Sequence, residues 1–514
     1  MNKKYLILFT VVLALTSFSC QKVTSQKEVK KKLELIFQEG DPPSLHPHRN
    51  ISHIRCVSLN KLLFEGLTRI NESQKAVLAG ASAIEISDDK LQYTFTLRDC
   101  KWSDGKLITA YDYIDAWKDA IRPNSISLRP DLFYVIKNAK EIREGKKSIS
   151  EFGAKALDEK TLKIELAYPC ATFLELMANS IFTPLKNPNK EPDAFNGPFI
   201  VGKWNKTKNL ILEKNPMYWD KNSISLNAIE ISFVTDVTAG FYLFKKGKVD
   251  WIGHPISAIS AEDEELLRKN NILKERLSTM IFWIHVNTDL FHFKSKNIRK
   301  ALSYAINRSE INNYILNGAN PVSYLPSNMA PFDHNFECDI NKAREYFEKG
   351  LEELQISEED FPEVEISYFT YPKMKMLAQY LKKTWSNVLN IRSRLIEKDW
   401  NSFRNAQERG EFDIGGCYET VLFPDPMDLL ERLEKKNGWE KKDYEQILLS
   451  MKNALDDEKR MTLFKRSLEI LNEEMPLLVL SNKIQIFAIN PLLRGYYFDY
   501  TNGVDFSRAF FDNS

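Results

Sequence analysis

Apolar and polar positions alternate over residues 91–98, where Leu91, Tyr93, Phe95 and Leu97 interleave with Gln92, Thr94, Thr96 and Arg98. This period of two predicts a half-buried antiparallel strand. Trp102-Ser103-Asp104-Gly105 follows, and Asp-Gly supplies the chemistry of a tight turn. Thr109 and Asp112 then stand at the spacing of a capped helix start, ahead of Tyr113, Ile114, Trp117 and Ile121. The same alternation predicts strands at 32–39, 161–166, 210–214, 229–234 and 364–369. Between them lie amphipathic helices. Over 295–318, Ile298, Leu302, Ile306 and Ile315 fall near one face and Gly318 is placed to stop the helix. Over 457–474, Leu463, Phe464, Leu468 and Leu471 point inward and Pro476 ends the run. Interleaved strands and helices, with no internal repeat, predict an α/β architecture.

The first residues break this pattern. Lys3 and Lys4 precede an apolar run from Tyr5 to Phe18 that is shorter than the roughly 20 residues of a spanning helix and has the layout of a signal peptide. Ser17-Phe18-Ser19-Cys20 resembles a bacterial lipobox, although Leu is missing three residues before the cysteine. It implies lipid attachment at Cys20, with cleavage nearby or an uncleaved anchor as the other readings. Residues 21–32 are polar and basic, as a tether would be. Beyond them, 43% hydrophobic residues in a chain of 514 suffice for more than one core, and the length predicts about two to four structural domains. A net charge of +1 gives no global pull toward nucleic acid or an anionic surface. With Cys20 set aside, Cys56, Cys100, Cys170, Cys338 and Cys417 have no zinc spacing and read mostly as buried free thiols, one disulfide being the alternative.

Catalytic parts are missing from the string. It contains no G-x-S-x-G, H-E-x-x-H, Walker-type or dinucleotide-type glycine motif, and Gly145-Lys146-Lys147-Ser148 lacks the strand and glycine that a phosphate loop needs. No cofactor and no enzymatic activity are therefore expected. His46, His48 and His53 lie close together, and an H-x-H pair on an extended segment puts both rings on one face. With only four other histidines, turn and surface roles are expected in place of metal ligation.

The strand-turn-helix of residues 91–117 resembles the signature region of the family 5 extracellular solute-binding proteins, the peptide- and nickel-binding subunits of ABC importers. Further similar pieces follow in order: Ser44 to His48, Leu63 to Leu67, Asn196 to Trp204, Leu212 to Trp219, Phe244 to Asp250, Ile298 to Ile311, Ile396 to Phe403 and Glu411 to Tyr418. The chain is most similar to the oligopeptide binders of that family. The resemblance implies a two-lobed periplasmic-binding-protein fold with an extra inserted domain. Lobe I would take residues 30–63, 191–280 and 482–514, the insert 64–190 and lobe II 281–481.

It also implies a peptide lying extended in the interlobe cleft, hydrogen-bonded as an added strand, with its amino group paired to an aspartate in a D-Y-x-x-P segment of lobe II. Here the segment reads Val421 to Pro426, and Leu422 stands at the aspartate's place. Gly416 replaces an arginine, Glu419 a tryptophan, Thr420 a cysteine and Met374 a histidine, whereas Trp400 matches the tryptophan that packs by the ligand. The expected ligand contacts are thus Trp400 and Phe423 against the peptide, with Glu419 or Asp425 meeting its amine. Expected partners are the peptide, the importer's permease and its separate ATPase, and the membrane through the lipid. The protein is expected to be a monomer in the bacterial envelope. The alternatives are an amine-blocked or sugar-linked peptide as cargo, a metal or metallophore, or a surface lipoprotein that serves no importer.

Overall fold

In β1 (Lys32–Phe37), Leu33, Leu35 and Phe37 are buried, as the alternation predicts. The computed structural model describes residues 30–51, 53–327, 329, 332, 334, 336–421, 423–436, 439 and 441–512; the signal peptide, Cys20, most of the tether and Leu422 lie outside the described residues. After α1 (Ile54–Leu63) comes an antiparallel sheet of β2 (Ala81–Ile86), β3 (Gln92–Leu97), β4 (Ala154–Ala156) and β5 (Thr161–Glu165), in the order β2-β3-β5-β4. Gly105 takes a φ of +87° in the turn after β3. The helix α2 (Ala110–Ile121) then opens with the Asp112 carboxylate accepting from the Thr109 N–H at 2.7 Å and hydroxyl at 2.9 Å. Its Tyr113, Ile114, Trp117 and Ile121 are all buried. The chain returns through β6 (Phe199–Asn205), β7 (Asn209–Lys214) and β8 (Ala228–Phe233), and β8 lies parallel to β1 in the sheet order β1-β8-β7-β6.

Three of the recognised sequence pieces meet in one knot between these sheets. The Asn196 side chain accepts from the Glu65 N–H (3.1 Å) and donates to the Glu65 carbonyl (2.7 Å). Tyr218 donates to the Glu65 carboxylate at 2.8 Å, Trp219 donates to its other oxygen, and Arg69 pairs with it at 3.4 Å. Burial pushes the Glu65 carboxyl up, and these donors and Arg69 oppose that. Gly197 lies against the end of α1, donating to the Leu63 carbonyl at 2.9 Å; a Cβ there would stand 2.5 Å from backbone atoms of Leu63 and Phe64.

A mixed sheet runs from the first lobe into the second and comprises β9 (Trp251–Gly253), β10 (Lys274–Val286), β11 (Val364–Phe369), β12 (Ser393–Lys398), β13 (Ile414–Thr420) and β14 (Leu477–Ile489), ordered β9-β14-β10-β13-β11-β12. Two large cores result: one draws on residues between Leu33 and Ile256 and again between Phe487 and Phe511, the other on residues from Ile281 to Leu480. The chain passes between them along β10 and β14. Lys274–Leu277 pair with Ile484–Phe487 on the first side, Ile281–His285 with Leu477–Asn482 on the second, and the register shifts between Leu277 and Ile281. Thr279, inside that break, is satisfied from outside the ladder: its N–H donates to Asn502 Oδ1 (3.0 Å) and its hydroxyl to the Tyr500 carbonyl (2.5 Å). The molecule is thus a two-lobed α/β protein. Among the described residues, no helix is long and apolar enough to cross a membrane.

The helix predicted over 295–318 is broken. α3 (Lys296–Tyr304) ends, and a new turn starts at Arg308 with the Asn307 side chain accepting from the Glu310 N–H at 3.1 Å. The buried Arg308 guanidinium takes the Ser303 and Ile306 carbonyls that a continuous helix would have bonded internally. Asn317, with φ 54°, supplies the left-handed stop, and Gly318 pairs with Lys483 in the sheet. The helix over Asp457–Glu474 forms as predicted, with Phe464, Leu468 and Leu471 buried and Leu463 partly so.

Replacing Gly197 with Ala is expected to lower stability by about 1–3 kcal/mol, since the methyl meets backbone that cannot swing aside. An unchanged denaturant midpoint would show that the α1 terminus yields.

Candidate functional site

Of the four residues expected to meet a ligand, Glu419 lies on β13, Phe423 and Asp425 follow that strand, and Trp400 starts a neighbouring helix. Trp400 begins the helix Trp400–Glu408, capped by Asp399, whose carboxylate accepts from the Asn401 and Ser402 N–H groups. Its indole is 49% exposed and stands edge-on to Phe369 (5.0 Å between centroids), with Phe403 at 6.3 Å. An exposed tryptophan backed by rings that hold its rotamer is a platform, whereas a core tryptophan would be closed in.

One turn on, Arg404 links this platform to Glu419. Its guanidinium lies 5.7 Å from the Trp400 ring and 3.4 Å from the Glu419 carboxylate. Glu419 is buried and also pairs with Arg432 at 3.2 Å, with His285 Nε2 at 3.6 Å. Arg432 continues to Asp428 at 3.2 Å. A run of alternating charges therefore leads from the aromatic wall into a cavity of about 240 Å³ between the insert and the second lobe.

Phe423 and Asp425 line that cavity. Phe423, though it follows a second-lobe strand, packs against the first core. Asp425 is buried, and both its oxygens accept from Arg460 (2.6 and 2.7 Å) while Thr172 of the insert reaches it at 3.3 Å. Asp131 sits opposite, held by Arg129 through two hydrogen bonds of 2.9 and 2.6 Å. Burial pushes the Asp131 carboxyl up, but Arg129 outweighs it and the group lies below its ordinary value. Among the described lining residues, Asp131, Asp425, Asp428 and Glu431 face Lys140, Arg432, Lys452 and Arg460, so the walls neutralise themselves. Such a cavity offers hydrogen bonds to many side chains and favours no ligand charge.

The structure thus brings Phe423 and Asp425 into one cavity, sets Glu419 behind it and leaves Trp400 at the far end of the arginine run. Both carboxylates already carry arginines, so an amine arriving at either must compete with a guanidinium or join it. Arg404, Arg432 and Arg460 were not singled out by sequence reasoning. Arg404 was within reach of it, since it stands four residues after Trp400 on a helix; Arg460 comes from a distant helix and left no local signal.

The histidines serve the backbone. His46 Nδ1 accepts from the His48 N–H at 3.2 Å and its Nε2 donates to the Pro188 carbonyl at 2.8 Å; His48 Nε2 donates to the Ile181 carbonyl at 2.9 Å. Among the described residues, no group of three His, Cys, Asp or Glu side chains is placed to hold a metal ion, and Cys56, Cys100, Cys170, Cys338 and Cys417 form no disulfide with one another.

Two measurements follow from these pairings. Arg460→Ala is expected to cost about 3 kcal/mol in urea unfolding by stranding buried Asp425. Burial holds His48 down to about 3, so the unfolded chain takes up a proton near pH 6.5 that the folded chain refuses until about pH 3. Stability should fall as pH drops through that window, by up to about 1.4 kcal/mol per pH unit for this group. His48→Gln should make the slope shallower, and an unaltered slope would remove His48 as its source.

Comparison with known proteins places this geometry. The family model described as bacterial extracellular solute-binding proteins, family 5, middle region, matches residues 75–441. The oligopeptide-binding protein OppA of Bacillus subtilis is 31% identical over 535 residues, covering 98% of each chain. Among solved structures, Listeria monocytogenes OppA bound to peptide superposes with a TM-score of 0.76 at 24% identity, over 94% of this chain and all of the other. The Escherichia coli murein tripeptide binding protein MppA gives 0.78 at 21% identity, over 94% and 99%.

Proposed function

Since the chain belongs to the bacterial extracellular solute-binding proteins of family 5, we propose that it captures oligopeptides in its interlobe cleft and delivers them to the membrane subunits of an ABC importer. The observation that carries this is the 31% identity to an oligopeptide-binding protein along 98% of both chains. The family consists of substrate-binding proteins and not enzymes, so ATP hydrolysis falls to another subunit.

In this reading lobe I comprises residues 30–63, 191–280 and 482–514, the insert 64–190, and lobe II 281–481. The lobes rotate about the register break in β10 and close over an extended peptide. Trp400 and Phe423 pack against it from the two ends of the arginine run. Glu419 or Asp425 receives the amine, sharing its oxygens with Arg404 and Arg432 or with Arg460. Cys20 carries the lipid that keeps a monomeric receptor at the outer face of a membrane.

A second reading has support of its own. Leu422 stands where the amine-anchoring aspartate is expected, and both nearby carboxylates are held by arginines. An amine-blocked or sugar-linked peptide, such as a cell-wall fragment, makes no demand on either.

Protein expressed without residues 1–25 and examined by native mass spectrometry should carry a ladder of co-purified peptide masses. One discrete mass would favour a specialised cargo. Free and N-acetylated forms of the same peptide then separate the readings: an amine contact predicts about 10-fold or greater loss on acetylation, and equal affinities favour the blocked ligand.

A further inference from the structure

A larger cavity, of about 960 Å³, lies in the first lobe and shares no residue with the charged one. One wall is the end of the helix Val237–Lys245 and the turn after it, where Gly247 takes a φ of +65° and donates its N–H to the Phe244 carbonyl at 2.9 Å. A second wall is the end of the helix Ala261–Lys269, capped by Ser260, whose hydroxyl oxygen accepts from the Asp263 N–H at 3.1 Å. Residues 489–496, which run on from β14, form a third. Every lining residue falls within 241–274 or 489–496, so neither the insert nor the second lobe contributes.

Its floor is apolar. Phe241 and Leu267 are buried and form, with Ile252 and Ala488, a small third core apart from the two large ones, against which Phe244 packs only in part. Tyr496 stands edge-on to Trp251, 5.1 Å between centroids, which holds its ring in place. Leu266 and Ile272 also line the cavity and are 39% and 44% exposed, so it opens to solvent across aliphatic surface. The rim is basic. Lys245, Lys274 and Arg494 are the charged lining residues, all three exposed, and no carboxylate stands among the lining groups. The Lys245 ammonium lies 5.8 Å from the Phe241 ring, and Arg494 is held by the Pro491 and Leu493 carbonyls at 2.7 and 3.0 Å. Glu275, next to Lys274 in sequence, and Glu264 are both engaged by Arg268, at 2.6 and 3.0 Å. Two helices end at the cavity, each contributing about half a negative charge, so roughly two of the three positive charges stay uncompensated.

We propose that this cavity is a second ligand site, which takes a single-chain anionic amphiphile of the fatty-acid class. The chain lies against Phe241, Leu267 and Tyr496, and the carboxylate meets Lys245, Lys274 and Arg494. The volume is at the upper end of the roughly 300–1,000 Å³ of small-molecule sites. Charge selects the occupant: an uncharged apolar body gains nothing from the rim, and a cationic one is repelled by it. The chain's own segment 21–29 is a poor occupant for the same reason, since Lys22 and Lys27 against Glu28 leave it polar and basic. The site stands apart from the peptide-receptor reading, and either can fail without the other.

The test titrates two amphiphiles of equal chain length, dodecanoate and dodecyltrimethylammonium, calorimetrically into protein lacking residues 1–25, both below the concentrations at which they form micelles. Dodecanoate is expected to bind one to one and about 10-fold or more tightly than the cation. Lys245→Glu combined with Lys274→Glu should abolish or reverse that preference, and because both lysines are exposed the thermal midpoint should stay in place. Lys274→Gln alone is a smaller change and should reduce the preference in part. Leu266→Ser combined with Ile272→Ser should weaken both amphiphiles by about 10-fold, which reports the chain contact separately from the head. Absence of saturable dodecanoate binding, equal affinity for the two heads, a preference that Lys274→Gln and the lysine pair leave intact, or affinities that the serine pair does not move would each overturn the site. Flotation with phosphatidylglycerol vesicles in the absence of dodecanoate binding overturns it as well, in favour of contact with a membrane surface.

Discussion

A β-ladder resists bending wherever its rungs are complete and yields where they are missing. The two lobes are joined by β10 and β14, which are laddered to each other on both sides of an interruption between Leu277 and Ile281, with a second register shift between Phe282 and Trp283. The groups freed by the interruption cannot be left bare. Thr279 gives its N–H and hydroxyl to Asn502 and Tyr500, and its carbonyl accepts from Val421 at 3.3 Å. The C-terminal segment and the loop that carries Phe423 and Asp425 are thus tied to the same few residues. Position of the lobes and shape of the site are set by one piece of backbone.

Charge at the site comes in balanced pairs. Where the insert meets the second lobe, acids and arginines alternate and cancel, through Asp131 with Arg129, Asp425 with Arg460 and Asp428 with Arg432. Buried pairs of this kind add little net stability but are costly to break singly, so they fix geometry more than they hold the lobes together.

Local pattern carried most of the fold. Strands at 32–39, 91–98, 161–166, 210–214, 229–234 and 364–369 were legible because one face of each is buried, so that alternation is enforced residue by residue. The helix over 295–318 misled because Ile298, Leu302, Ile306 and Ile315 are all buried, yet from separate short turns. Hydrophobic spacing reports burial, whereas the break is written in Asn307 and Arg308, whose side chains replace helix hydrogen bonds through contacts that sequence spacing does not reveal. At the candidate site the sequence pointed to side chains and not to their partners: Trp400 is exposed beside Phe369 and Phe423 packs against the first core, whereas the partners of Glu419 and Asp425 come from other elements.

That difference bears on how such a receptor changes its cargo. The knot around Glu65, bonded by Asn196, Tyr218, Trp219 and Arg69, supports the fold, and altering any member strands a buried carboxylate or its donors. The cleft charges are freer. The carboxylates of Glu419 and Asp425 are held by Arg404, Arg432 and Arg460 from other elements, so acid and arginine can be exchanged together without leaving a buried charge alone. The knot and the strands share no member of those pairs and remain as they are when the pairs change.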